Sequence, residues 1–210
     1  MPNVDAEELA SYVMGFKVET IEKCPALRVM KTVPVNEVGG LEVIKADARR
    51  LRMAYSPRAR QPKVDMPRGC LLVGSSGTGK SLTARAIAGM LGIPAIELNI
   101  GALMGGIVGQ TESQTEQALD IIEAIGASVV MVDEIEKAIG GQDNNSGVSR
   151  RLLGNLLTRM NDSTSGTYWV FTSNDYSALP PELTRAGRLD VIYFVDMPNA
   201  VEREAIFRIH

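Results

Sequence analysis

The stretch that decides the fold runs Cys70-Leu71-Leu72-Val73-Gly74-Ser75-Ser76-Gly77-Thr78-Gly79-Lys80-Ser81. A short apolar run opens directly into a turn of glycines and small hydroxyl residues that ends in Lys-Ser. Its last eight residues satisfy G-x-x-x-x-G-K-[ST] in full, between a strand pattern and a helix pattern. Glycine lets the backbone turn tightly and bring its N–H groups against phosphate oxygens, and the following helix adds the positive end of its dipole. The Lys80 side chain is thereby placed for the β- and γ-phosphates of a nucleotide, and the Ser81 hydroxyl for Mg²⁺.

Outward from this loop, short apolar runs alternate with helical patterns. Strands are expected at Cys70–Val73, Ala95–Leu98, Ser128–Asp133, Tyr168–Thr172 and Val191–Val195. Helices are expected at about 80–91, 111–125, 148–161 and 180–184. Five strands separated by helices imply a parallel sheet covered on both faces. Ligands of such sheets bind outside the carboxyl ends of the strands. The run Val129-Val130-Met131-Val132 ends in that position on Asp133-Glu134. Neighbours on a strand point to opposite sides, so the two acids should differ in role. Asp133 is placed to hold the Mg²⁺ shell opposite Ser81, and Glu134 to polarise the attacking water.

Upstream, residues 5–15 read as a short acidic helix, and residues 18–33 follow with Pro25 as a break. After Gly39-Gly40, the spacing of Leu41, Ile44, Ala48, Leu51 and Tyr55 predicts an amphipathic helix. The stretch from Lys45 to Arg68 holds eight Lys or Arg against two Asp, which reads as a solvated helix face and linker, with a subunit or polyanion contact as the alternative.

Composition narrows the chemistry. The 210 residues carry a net charge of −3 and contain one histidine, His210, and two cysteines. That count argues against a Ser–His–Asp triad, a Cys–His nucleophile and a His-ligated zinc, and it excludes a four-thiolate zinc site within one chain. Cys70 opens an apolar run, so it reads as a buried small hydrophobe in a reducing compartment. No signal-peptide pattern opens the sequence, and no apolar run approaches the roughly 18 residues of a membrane span. The expected location is the cytoplasm or the plastid stroma, without a membrane. The mild acidity argues against bulk nucleic-acid binding.

With both motifs in place, the chain from Val35 to His210 resembles the AAA+ ATPases, within their AAA clade of ring-forming remodelling enzymes. Several stretches, Gly105-Gly106-Ile107-Val108-Gly109-Gln110-Thr111-Glu112 and Asp133-Glu134-Ile135-Glu136-Lys137-Ala138 among them, are similar to an AAA group encoded in cyanobacteria and plastids. The resemblance implies a P-loop NTPase, a three-layer αβα sandwich with a five-stranded parallel sheet. Residues 1–34 would form a short helical N-terminal segment, residues 35–197 the nucleotide-binding subdomain, and residues 198–210 the first helix of a lid that is otherwise absent. ATP and Mg²⁺ are the implied cofactors. Val38-Gly39-Gly40-Leu41 resembles the segment that packs beside the adenine, so Val38 and Gly40 join Ser76, Gly77, Thr78, Gly79, Lys80, Ser81 and Leu82 as nucleotide contacts, and Ser81 and Asp133 as metal ligands.

Trp169-Val170-Phe171-Thr172-Ser173-Asn174 resembles the strand that ends in the polar sensor, here Asn174. Pro180-Pro181-Glu182-Leu183-Thr184-Arg185-Ala186-Gly187-Arg188 resembles the segment that carries two arginine fingers. Arg185 and Arg188 would reach the nucleotide of a neighbouring subunit, so the implied catalytic set is Glu134, Asn174, Lys80, Arg185 and Arg188. The implied function is Mg²⁺-dependent ATP hydrolysis by a ring, expected to be a hexamer, that remodels an unspecified protein client. The alternative is a nucleotide-dependent switch or scaffold with little turnover. Ile107-Val108-Gly109 stands where threading relatives present an aromatic residue, and Gly140 to Gly147 stands where they carry a second pore-facing loop.

Overall fold

The computed structural model describes residues 19–55, 66–104, 110–139, 146–185 and 188–209. The acidic helix expected at 5–15, the Ile107-Val108-Gly109 loop, most of the Gly140–Gly147 loop and His210 lie outside the described residues.

Among the described residues, six strands make one sheet: β1 (Leu27–Met30), β2 (Gly69–Val73), β3 (Ala95–Leu98), β4 (Val129–Val132), β5 (Tyr168–Ser173) and β6 (Val191–Phe194), in the spatial order β1-β3-β4-β5-β2-β6. Strands β3, β4, β5, β2 and β6 run parallel, as the alternation of apolar runs and helices requires. The expectation of five strands is corrected by β1, which adds to the β3 edge antiparallel, in register Leu27 with Leu98. Its four residues Leu-Arg-Val-Met carry a charge in the middle and bury chiefly Leu27, so no apolar run announces it. The charge has a reason: Arg28 sits opposite Glu97 in the register and donates to its carboxylate. β1 also places part of the segment before residue 35 on the sheet itself.

The main helices are α1 (Glu42–Ala54), α2 (Lys80–Leu91), α3 (Ile100–Met104), α4 (Gln110–Ile125), α5 (Ile135–Ile139), α6 (Ser146–Asp162), α7 (Pro181–Thr184) and α8 (Ala200–Ile209). Alternation along the strands assigns them to faces. Leu71, Val73, Ile96, Val130, Val132, Trp169 and Phe171 point to one side and pack with α3, α4 and α6 through residues such as Leu103, Ile122 and Leu156. Cys70, Leu72, Ala95, Val129, Met131 and Val170 point to the other and meet Ile44 of α1 and Ala84, Ile87 and Leu91 of α2. The result is an α/β sandwich of three layers with an aliphatic core. Trp169 and Phe171 supply its aromatic stack, ring centroids 6.1 Å apart.

This topology sets the position of the site. Strand β2 pairs with β5 and β6, not with its sequence neighbour β3. The carboxyl ends of β4, β5 and β2 are therefore adjacent, and the loops after all three open at the same edge of the sheet.

Candidate functional site

The phosphate loop leaves β2 at Gly74, whose N–H donates to the Ser173 carbonyl at 3.1 Å. A Cβ on Gly74 would stand 2.0 Å from the Val195 carbonyl oxygen, so the strand ends approach more closely than any side chain permits. Gly77 and Gly79 adopt φ of 84° and 90°, the left-handed region that glycine enters at no steric cost. Thr78 ties the turn by donating to the Ser75 carbonyl at 3.0 Å.

Lys80 is buried at the start of α2 and its ammonium donates three times: to the carbonyls of Gly74 at 2.7 Å and Ser75 at 2.8 Å, and to Asn174 Oδ1 at 2.8 Å. Ser81, one residue on, donates to Asp133 Oδ2 at 3.2 Å. Both are hard oxygen donors at the phosphate end of the loop. They suit Mg²⁺, which takes few protein ligands and keeps several waters beside phosphate oxygens.

The carboxylate pair sits where β4 hands over to α5. Thr172, fully buried on β5, donates to Asp133 Oδ1 and accepts the Glu134 backbone N–H at 2.9 Å. Glu134 has φ of 49°, a left-handed conformation that costs a non-glycine residue about 1–2 kcal/mol and persists only where its surroundings hold it. The Thr172 bond is one such restraint. The twist turns the Glu134 side chain toward Asn174, which donates Nδ2 to Glu134 Oε1 at 3.1 Å, while Lys137 donates to Oε2 at 2.5 Å. The Lys137 hydrogen bond lowers the Glu134 pKa below the usual carboxylate range; partial burial opposes this and Asn174 assists it. The same bond raises Lys137.

Lys80, Ser81, Asp133, Glu134 and Asn174, separated by up to 94 positions in sequence, thus form two hydrogen-bonded groups around one loop. Arg185 and Arg188 stand apart from both. Arg188 donates to the Leu157 carbonyl on α6 at 3.4 Å, and Arg185 is exposed at the end of α7. Three partners were not assigned from sequence: Thr172, Glu136 and Lys137. Each lies within three residues of an assigned one. The sole available signal was a polar side chain at an otherwise apolar strand end, or on the first turn after one.

Beside the loop is a cavity of about 210 Å³, lined by Val38, Leu41, Gly77, Leu82, Glu202 and Ile206 among others. Helix α8 closes it. A Cβ on Gly39 would stand 2.6 Å from Ile206, and one on Gly40 2.7 Å from Glu202 Oε1, which also accepts the Leu41 N–H at 3.4 Å. Val38 is buried in its wall, and Ser76 is exposed on the outer side of the loop.

Residues 70–197 match the family model described as "ATPase family associated with various cellular activities (AAA)". The chain belongs to the AAA family. This AAA chain is 38% identical over 178 residues to an AAA domain-containing protein ycf46 of Guillardia theta, covering 84% of the chain and 35% of that protein. It is 33% identical over 211 residues to the ycf46 protein of Gracilaria tenuistipitata var. liui, covering 99% of the chain and 43% of that protein. With the ATP-dependent zinc metalloprotease FtsH of Acidothermus cellulolyticus it shares 32% identity over 185 residues, or 83% of the chain and 28% of the protease. The chain thus spans about two fifths or less of the length of these AAA relatives. Among its described residues, no helix is long and apolar enough to cross a membrane.

Proposed function

We propose that the site binds ATP with Mg²⁺ and hydrolyses the bond between the β- and γ-phosphates. The observation that carries this is the convergence of Lys80, Ser81, Asp133, Glu134 and Asn174 on one phosphate loop, at the ends of three adjacent strands. In this reading the backbone N–H groups of Ser76 to Ser81 cradle the phosphates, and Lys80 exchanges its two loop carbonyls and Asn174 Oδ1 for phosphate oxygens. Val38, Gly40 and Leu82 flank the base. Ser81 and Asp133 would hold Mg²⁺, which would supply charge neutralisation at the phosphates. Glu134 accepts a proton from water as the water oxygen attacks the γ-phosphorus and the bond to the β-phosphate oxygen breaks, leaving ADP and phosphate. Asn174 orients that water.

Among the described residues, Arg185 and Arg188 make no hydrogen bond to the carboxylates of their own chain's site, which supports their action on the nucleotide of a neighbouring copy in a ring. A ring of this family, as a hexamer, would convert hydrolysis into work on a protein client in the cytoplasm or the plastid stroma. A second reading, a switch with slow turnover, is favoured by one feature: both Glu134 carboxylate oxygens are already engaged, by Lys137 and Asn174.

Phosphate release under Mg²⁺-ATP separates the two. Glu134→Gln should lower kcat by about 100-fold or more while nucleotide still binds, and Arg188→Ala should lower it by about 1000-fold if the arginine acts in trans. A wild-type rate equal to that of Glu134→Gln would exclude the enzyme reading. A single-copy mass for Glu134→Gln in saturating ATP would exclude the trans arginines.

A further inference from the structure

We propose that Glu136 is a positioning residue that anchors Asn174, so that the asparagine stays in the site when Lys80 and Glu134 turn to the nucleotide. This rests on the ATPase reading above. Glu136 Oε1 accepts twice from the same residue: the Asn174 backbone N–H at 3.0 Å and its Nδ2 at 3.1 Å. The orientation of the amide is forced. Lys80 can only donate, so the atom facing it is Oδ1; both carboxylates can only accept, so the atom facing them is Nδ2.

Of the three side chains that hold Asn174, two have other work. Lys80 moves to phosphate oxygens, and Glu134 must release an oxygen to take the water proton. Glu136 alone of the three keeps its contact, and with it both the backbone and the amide of Asn174. Once Lys80 has left, Asn174 Oδ1 is the open acceptor and faces the phosphate end of the loop, where a water can donate to it.

A second observation separates this from a packing role. Among the described residues, Glu136 Oε2 is buried without a hydrogen-bond partner. A buried carboxylate oxygen with no donor costs stability, and an apolar side chain of the same length would fill the space without that cost. Packing therefore gives no reason for an acid at this position, whereas the double contact of Oε1 does.

The test uses the full chain with two substitutions. Glu136→Leu removes the acceptor; Glu136→Gln retains an oxygen facing Asn174. The expected result is a fall in kcat of about 10–100-fold for Glu136→Leu, the usual range for loss of an outer partner, with KM for ATP unchanged and near wild-type kcat for Glu136→Gln. The independent readout is solvent exchange of the Asn174 side-chain amide, followed by ¹⁵N NMR without nucleotide. Exchange should accelerate in Glu136→Leu and stay slow in Glu134→Gln. If Glu136→Leu does not fold, Glu136→Asp withdraws the carboxylate by one methylene and should accelerate the same exchange. Unchanged amide exchange overturns the anchor, and so does a loss in Glu136→Leu shared equally between kcat and KM. A wild type without turnover would sink the ATPase reading, and the amide exchange would still decide the role of Glu136.

Discussion

Thr172→Val replaces a buried hydroxyl by a methyl group of nearly the same shape and tests how the carboxylate pair is held. Thr172 Oγ1 serves two partners: it donates to the Asp133 carboxylate and accepts the Glu134 N–H at 2.9 Å. A hydrogen bond to a charged group contributes about 1.5–3 kcal/mol net and one to a backbone amide about 1 kcal/mol. Asp133 is exposed and regains water when its donor is lost, so the lower end applies to that bond. The sum is then about 2.5 kcal/mol. At roughly 2–4 °C per kcal/mol for a domain of this size, the melting temperature should fall by about 5–10 °C. Thr172→Ser is the control, because it keeps both bonds and loses one buried methyl group, about 0.8 kcal/mol. Calorimetry of the three proteins reads the difference. Glu134 would also lose a restraint on its left-handed backbone, so ATP turnover should drop in the valine variant and not in the serine one. A valine variant that melts within about 1 °C of wild type, below which the serine variant falls, would refute the argument that these two bonds hold the turn.

Two further outcomes follow from close packing and from a buried thiol. Gly74→Ala would place a Cβ 2.0 Å from the Val195 carbonyl, against backbone pinned by the Val195 N–H to Val73 oxygen bond of 2.7 Å. Overpacking of this kind costs about 1–3 kcal/mol, so urea unfolding should show a lower midpoint with an unchanged slope, and a wild-type midpoint would contradict the contact. Burial pushes the Cys70 thiol up to about 12, although the Tyr168 hydroxyl hydrogen bond works against it. The folded pKa lies above the unfolded value of about 8.5, so the stabilisation is complete below about 8.5 and is lost as pH rises toward 12. Cys70→Ala should flatten the alkaline decline of stability, and in wild type at pH 8 a thiol reagent should label Cys70 no faster than the chain unfolds. Rapid labelling of the folded protein would show the thiol to be accessible.

The legibility of this fold follows burial. Strands β2, β4 and β5 are buried on both faces, so their apolar runs stood out and carried their loop residues with them. Asp133 and Glu134 were legible because they follow such a run at once, Lys80 because the glycine motif begins at the end of one, and Asn174 through the resemblance to the family's sensor strand. Strand β1 was not, because an edge strand needs only one apolar side and Arg28 is explained by Glu97, a partner 69 positions away. Thr172 was hidden for a related reason. Its role depends on the pairing of β4 with β5, Val132 beside Phe171, which a linear pattern does not contain. Glu136 and Lys137 stood in plain view, yet only the left-handed turn at Glu134 brings its carboxylate between Lys137 and Asn174.

Helix α8 is gripped from two sides. The backbone that leads into it passes Val195, whose carbonyl bears on Gly74 at the root of the phosphate loop, while Ile206 and Glu202 fit against Gly39 and Gly40 with no room for a single added carbon. Ile206 and Glu202 also line the cavity beside the loop, so a tilt of α8 would change the shape of that cavity.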